Sequence, residues 1–383
     1  MNTIYKNLEY FESQTQGETI FKSNGSGKYA LSPYDFFLEE NTLPVETFED
    51  PTITIKKLNT CVVTNRNVII SSNGNIVLDN GYHQLAPPIK IQDHGLKPDS
   101  IIVVPSIGWQ CQIMTEDTTD IERGFYIGDT DNFGHWLFEF LPKFLWYKKI
   151  FPNNDYPILI GNSVPEKWLE LIKPLGIDTS IIKRFASFKS LFCKELIICS
   201  ASCKRTNTNA VSIRMDDFFK IRSLVENYYA HTSFDGDYID CLFCTRKNAR
   251  WRKTKNEDEV VEWLENNFKK VVIFEPEKLS IRDQLTLLGK TKFFFSTGGC
   301  LPFGMFSSKD SVLFELRPPE GHGFVGRIWS DIFRFGYHRI SSDWCDGVQS
   351  EVDMKDFHLK DLSINFEQFK KDVLSIKSKC NLF

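Results

Sequence analysis

No stretch of this sequence reaches the ~18 consecutive apolar residues that a membrane-spanning helix needs. The opening segment "MNTIYKNLEYFESQTQ" has none of the apolar core of a signal peptide, so the expected compartment is the cytoplasm. Charge of neither sign dominates: 46 Lys and Arg against 50 Asp and Glu leave a net charge of −4. A global pull toward nucleic acid is thereby excluded, and any anion site must be local. The 10 cysteines are scattered, and without a secretion signal they are expected to stay reduced. "CLFC" at 241–244 has no second Cys-x-x-Cys to complete a zinc site. It also reads as a strand, where i and i+3 side chains point to opposite faces, so buried thiols are the better reading. No internal repeat and no low-complexity segment interrupts the chain.

What is present is a folded α/β chain. At ~100–200 residues per domain, 383 residues imply two domains. The apolar fraction of 42% is ordinary, but 33 Phe imply sizeable aromatic cores. "NVIISSNGNIVL" (67–78) reads as two short strands around an Asn-Gly turn. Strands are expected at "SIIVVPSIG" and "RGFYIGD", followed by a helix over 133–149. A strand at "YPILIG", a helix at "VPEKWLELIKPLG" and a strand at "KELIICSA" come next. The span 212–231 is a long amphipathic helix. "TSFDGD" (232–237) is the best linker by composition. Beyond it, near-continuous apolar strands alternate with helices, the pattern of a parallel sheet covered on both faces. In "SIRDQLTLLGK", Ser280 is the expected cap and Asp283 stands at the box position. A final helix over 362–378 is placed to close back over the neighbouring domain.

Four constellations can carry chemistry. In "DTDNFGHWLFEFLPKFLWYKK" (129–149), His135 and Glu139 are four apart and share a helix face, with Asn132 at the helix start. Glu139 can orient His135, the arrangement of a proton-transfer pair. The plainer alternative has His135 capping the helix and Glu139 in solvent. "TRKNARWRKTK" (245–255) carries Arg246, Lys247, Arg250, Arg252, Lys253 and Lys255 without an acid, directly after a strand. Ligands of open α/β sheets bind outside the carboxyl ends of strands, and Arg suits bidentate contacts to phosphate. A diphosphate is the natural guest; a solvated basic loop is the alternative. "FSTGGCLPFG" (295–304) ends a strand at small residues, where Gly298 and Gly299 let a ligand approach the backbone. Asp129-x-Asp131 matches a metal-diphosphate pattern, but Asp is also favoured as a cap before a helix.

Taken in order, these stretches resemble glycosyltransferase family 61 and its bacterial capsular-polysaccharide relatives. "NFGHWLFEFLPKF" is similar to the family's Asn-aromatic-x-His-Trp…acid…Leu-Pro segment. "CTRKNARWRKTKNEDEV" is similar to its Ser/Thr-Arg-Lys…Ala-Arg…Arg…Asn-Glu segment. "FEPEKLSIRDQLTLLGKTKFFFSTGGCLPFGMF" resembles its Glu-Pro…Leu-Ser…Gln stretch with a following strand and Gly-rich turn, and "VLFEL" closes the series. The resemblance covers about 130–316. It departs in the turn, where Thr297 takes a His/Thr position, Cys300 takes a Gly and Phe303 stands where Asn is common.

The resemblance implies a GT-B architecture of two Rossmann-like domains with a cleft between them. The expected division is an acceptor-side domain over 1–236, a nucleotide-sugar domain over 237–341, and a helical extension over 342–383 packing back. It also implies inverting transfer from a nucleotide-sugar donor to a glycan or glycolipid acceptor, in surface or capsular polysaccharide synthesis. No metal is expected, because cationic side chains and helix N-termini stabilise the leaving diphosphate. His135 or Glu139 is the expected base, with His135 preferred because its unperturbed pKa is already useful at neutral pH. Arg246, Lys247, Arg250 and Arg252 would hold the diphosphate. Thr297, Gly298 and Gly299 would form the close turn. Glu275 and Glu315 would accept from ribose or base, and Gln284 would steady that wall. Nucleic acid is not an expected partner; docking at the inner face of a membrane is allowed, though no amphipathic anchor supports it. The alternative is a non-catalytic nucleotide- or glycan-binding assembly protein on the same fold.

Overall fold

A computed structural model of the chain describes residues 2–6, 8–10, 17–25, 28–31, 46–64, 67–70, 72, 76–78, 101–104, 108–113, 118–186, 189–205, 211–230, 238–249, 253–297, 300–317, 325–345 and 361–380. The chain divides into two compact units, Met1–Tyr29 with Phe48–Tyr228, and Ala30–Thr47 with Tyr229–Phe383. The expected linker, 232–237, lies outside the described residues. Among the described residues no helix is long and apolar enough to cross a membrane.

The first unit is built on a 9-stranded mixed sheet. Its parallel part starts at Thr118–Gly128 and steps outward through Ile158–Gly161 to Ile182–Phe185. Ser190–Cys199 then pairs on the other flank of Thr118–Gly128. The order therefore reverses beside Thr118–Gly128, the kind of switch point at which open α/β sheets bind ligands. Ile53–Thr64 continues the sheet antiparallel to Ser190–Cys199, and Val68–Ile70 pairs with Ile76–Leu78 as the expected hairpin. Alternate residues of Thr118–Gly128 face opposite layers. Tyr126 joins Leu58, Leu196 and Ile198 on one face. Phe125 turns the other way and meets Tyr147 of the helix edge-on at 5.3 Å.

Two helical segments differ from the sequence expectation, both because of proline. Glu166–Leu175 is a 3-10 helix containing Pro174. Proline cannot donate the i→i−4 bond and disfavours the α conformation in the residue before it, so the α pattern cannot run through the last turn of this segment. Gly176 ends it at φ 73°. The helix expected over 133–149 is three pieces: Phe133–His135 (α), Trp136–Phe140 (π) and Leu141–Ile150 (α). Pro142 has no N–H to return to Phe138, and the helix widens by one residue just before it. The Leu141 N–H then bonds to the Trp136 carbonyl.

The second unit holds a 6-stranded sheet. Across it run Val271–Phe274, Ile239–Cys244, Thr291–Ser296, Val312–Arg317, Gly336–Trp344 and Leu362–Ile364. The first five are parallel and the last is antiparallel. Strand order reverses between Ile239–Cys244 and Thr291–Ser296, a second switch point. Helix Ile281–Gly289 opens with the expected box: Ser280 Oγ accepts from the Asp283 N–H at 3.1 Å. The many phenylalanines form the core, with Phe295 stacked on Phe314 at 4.5 Å.

The C-terminus corrects the expectation. Residues 362–364 are a strand, and the helix after it, Phe366–Cys380, buries Phe369, Val373 and Ile376 in the second unit's own core with Phe243, Val260 and Phe295. It belongs to that unit. An amphipathic helix docks where apolar surface is open, and this sheet face offered it.

Candidate active site and donor pocket

The first cluster sits at the carboxyl end of Thr118–Gly128. Gly128 takes φ 128°, and a Cβ there would lie 2.1 Å from Phe140 Cε1. Glycine is what lets the motif helix pack directly on the strand end. Pairing with Ile158–Gly161 shifts between Tyr126 and Gly128, a bulge of the sort that re-aims side chains beside active sites. There the buried Lys143 donates to the Ile127 carbonyl at 3.3 Å, its ammonium 5.3 Å from the Phe140 ring centre.

The loop after Gly128 is tied down before the helix begins. Asn67 brackets Asp129, accepting from its N–H and donating to its carbonyl, both at 2.9 Å. The buried Asp129 carboxylate accepts from the Ser163 N–H and hydroxyl, each at 3.0 Å. The Asp129-x-Asp131 pattern is thus explained by an anchored turn. Asn132, expected among the catalytic groups, is the helix cap instead: Oδ1 accepts from the N–H groups of Gly134 at 2.9 Å and His135 at 3.3 Å. Those first-turn donors have no partner inside the helix and need such an acceptor. The Asn132 side-chain oxygen thus caps the helix that carries the pair.

His135 Nδ1 lies 2.6 Å from Glu139 Oε1. The Glu139 side chain is 6% exposed and that of His135 is 16% exposed. The alternative of a solvated Glu139 is therefore excluded. A carboxylate at Nδ1 fixes the tautomer with Nδ1–H donating, and Nε2 keeps the lone pair of a base. The π turn runs between the two residues, as π turns often do at functional sites. Trp136 is wholly buried between Phe144 and Trp168, 5.8 and 6.2 Å away, and Phe133 meets Trp168 edge-on at 5.3 Å. These rings lock the start of the helix.

The second cluster lies at the carboxyl edge of the other unit's sheet. Arg246 follows Ile239–Cys244 by two residues, and its backbone N–H donates to Glu257 Oε2 at 3.1 Å. Glu257, buried in the first turn of helix Glu257–Asn267, also accepts from the Thr245 hydroxyl. The positive charge of Arg246 acts on Cys300, buried three residues after Thr297. A hydrogen bond with Cys244, and then Arg246, hold the Cys300 thiol below its usual pKa, while burial pushes Cys244 well up. Both cysteines of "CLFC" are buried, as expected of core thiols.

The basic loop is less free than its sequence reads. Lys247 pairs with Asp258, which raises its pKa. Lys255 pairs with Asp361 at 2.9 Å. The loop's far end is zipped to the C-terminal strand: Leu362 N–H donates to Lys253 O at 2.9 Å, and Lys255 N–H to Leu362 O at 2.8 Å. Asn256 exchanges two side-chain bonds with Ile364, each at 2.9 Å. Arg250 and Arg252 lie outside the described residues, as do Gly298 and Gly299.

The remaining expected residues split. Glu275 meets the loop, accepting from Asn248 Nδ2 at 3.2 Å and pairing with Lys278 at 2.7 Å. Buried Gln284 donates to the carbonyls of Pro276 at 2.6 Å and Leu279 at 3.0 Å, so it steadies that wall. Thr297 is buried directly after the strand, and its hydroxyl has no partner among the described residues. Glu315 corrects the expectation. It is 1% exposed, accepts from the Tyr337 hydroxyl at 2.7 Å and pairs with Arg317 at 3.3 Å. Both of its oxygens are thus engaged within its own unit, Oε2 by Tyr337 and Oε1 by Arg317. Phe303, where relatives carry Asn, is a core residue edge-on to Phe274 at 5.4 Å.

Asn67, Lys143 and Arg317 do not stand out in the sequence. The signals that could have found two of them are the spacing of four between Glu139 and Lys143, and the place of Arg317 at the end of an apolar strand.

No curated protein matches the chain. The model of the family described as Glycosyltransferase 61 matches residues 133–313, from the start of the motif helix into the strand Val312–Arg317, and over that stretch the chain is similar to that family of glycosyltransferases.

Proposed function

We propose that the protein is an inverting, nucleotide-sugar-dependent glycosyltransferase that extends a glycan or glycolipid acceptor in surface or capsular polysaccharide synthesis. The observation that carries the reading is the His135–Glu139 pair, 2.6 Å apart and nearly buried, at the carboxyl end of a switch-point strand. A core helix has no use for a buried carboxylate bound to a histidine; a cleft that moves protons does.

In this reading His135 Nε2 takes the proton of the acceptor hydroxyl as its oxygen attacks the anomeric carbon from the face opposite the leaving group. The bond from that carbon to the diphosphate breaks, and the sugar is delivered with inverted configuration. The Glu139 carboxylate stabilises the imidazolium that forms. Arg246, with Lys247, Arg250 and Arg252, takes up the charge developing on the nucleoside diphosphate. Thr297, Gly298 and Gly299 offer hydroxyl and backbone donors, and Glu275 accepts from ribose or base. The two units are read as the acceptor and donor halves of a GT-B pair. The cations do the work a divalent metal would do elsewhere, so transfer is expected to survive chelator.

The test is a thermal-shift screen with nucleotides and nucleotide sugars, with and without chelator. A ligand that binds the native state raises the melting temperature by mass action. The reading expects a shift with one class of nucleoside diphosphate, retained in chelator and lost in Arg246→Met. No shift with any nucleotide overturns it.

A further inference from the structure

Glu315 is a carboxylate taken out of water, and the structure says what for. Two donors satisfy it, Tyr337 and Arg317. Burial, and then Glu315 itself, push the Tyr337 phenol well up, so it remains a donor throughout the physiological range. Removing one member of such a buried pair leaves an uncompensated charge, so Arg317 is held in place.

Strand register shows where it is held. Phe243 is level with Phe295, Ser296 with Glu315, and Arg317 with Ser341. Arg317 therefore stands two residues past the level at which Ile239–Cys244 and Thr291–Ser296 end. Arg246 stands two residues past Cys244 on its own strand. By the two-residue alternation of strands, Arg317 lies on the face of Ser296 and Glu315, and Arg246, just past its own strand, acts on Cys300 at the end of the intervening turn. The strands that carry them flank Thr291–Ser296, so they bracket the turn that follows it, about 10 Å apart at two strand spacings. The Arg317 side chain keeps 12% of its surface open.

We propose that Arg317 is a second guanidinium for the donor diphosphate, positioned by Glu315 and facing Arg246 across the turn after Thr291–Ser296. This rests on the transferase reading above. Two forks approaching from opposite sides suit two linked phosphates better than one, so Arg317 selects for the second phosphate.

The experiment measures affinities by calorimetry on the full chain. The probes are nucleoside mono- and diphosphates of each base and inorganic pyrophosphate. In Arg317→Met, the diphosphate probes should bind about 10–100-fold more weakly, the loss typical of a charge-assisted bond, while the matching monophosphate changes by less than about 3-fold. Glu315→Gln should give the same selective loss at smaller size. Arg317→Lys keeps the charge but not the fork and should fall between. It decides the matter if Arg317→Met does not fold. Equal weakening of mono- and diphosphate would make Arg317 merely structural and overturn the proposal. So would unchanged diphosphate affinity in Arg317→Met or Arg317→Lys while Arg246→Met loses it, and the transferase reading would then stand. If the wild-type chain binds none of the probes, both readings fall together.

Discussion

Adding one methyl group at Gly128 tests how the strand end positions the helix that carries His135 and Glu139. Gly128→Ala forces an L-residue to φ 128°, a region that costs about 1–3 kcal/mol. The new Cβ would lie 2.1 Å from Phe140 Cε1, 2.6 Å from Cδ1 and 2.9 Å from Asn67 Oδ1. Phe140 is 5% exposed and cannot swing away, so overpacking adds about 1–3 kcal/mol. The sum is about 2–6 kcal/mol, or a fall of about 4–24 °C in the melting temperature of a unit this size. Gly176→Ala is the control. It also has positive φ, 73°, but its Cβ meets only Lys148 Cε at 3.5 Å, so about 1–2 kcal/mol is expected. Thermal unfolding by circular dichroism compares the two. The reasoning fails if Gly176→Ala costs as much as Gly128→Ala, or if Gly128→Ala melts with the wild type. Because Phe140 belongs to the π turn, Gly128→Ala should also abolish transfer even below its melting point.

Two further predictions concern the second unit. Lys255 holds the Asp361 carboxyl below its usual pKa. Over the interval between the two values the unfolded chain binds more protons, so this stabilisation is present above about pH 4 and lost as acid passes through the native value. Urea midpoints from pH 7 down to 3 should fall less steeply in Asp361→Asn than in the wild type; parallel slopes would remove the anchor role. Phe314→Ala, at a fully buried ring stacked on Phe295, should cost about 3–5 kcal/mol by chemical denaturation, and a cost under about 1 kcal/mol would contradict the packing described.

Much of the fold and part of the site are legible in the sequence, for identifiable reasons. Apolar runs such as "KFFFS" fit only buried parallel strands, and the Ser280–Asp283 box needs no tertiary context. The spacing of His135 and Glu139 by itself puts them on one helix face. What stays hidden depends on partners far along the chain. Pro142 and Pro174 signal irregularity, but whether a helix widens or tightens there depends on what it packs against. Leu362–Ile364 is a strand because it pairs antiparallel with Gly336–Trp344, and Asn256 ties it down from 108 residues away, which no local pattern reports. Glu315 reads as an open acceptor at a strand end, since nothing in "VLFELR" says that Tyr337 will cover it. Asn132 reads as catalytic because it neighbours the pair; the geometry adds that its side-chain oxygen caps the helix.

The measurement closest to the central claim is single-turnover release of nucleoside diphosphate, with the donor identified by thermal shift, in wild type, His135→Ala and Glu139→Gln. The account predicts at least ~100-fold slower release in His135→Ala, with donor affinity within about 3-fold of wild type, and a smaller loss in Glu139→Gln. An unchanged rate in His135→Ala would contradict it and remove the base from the site.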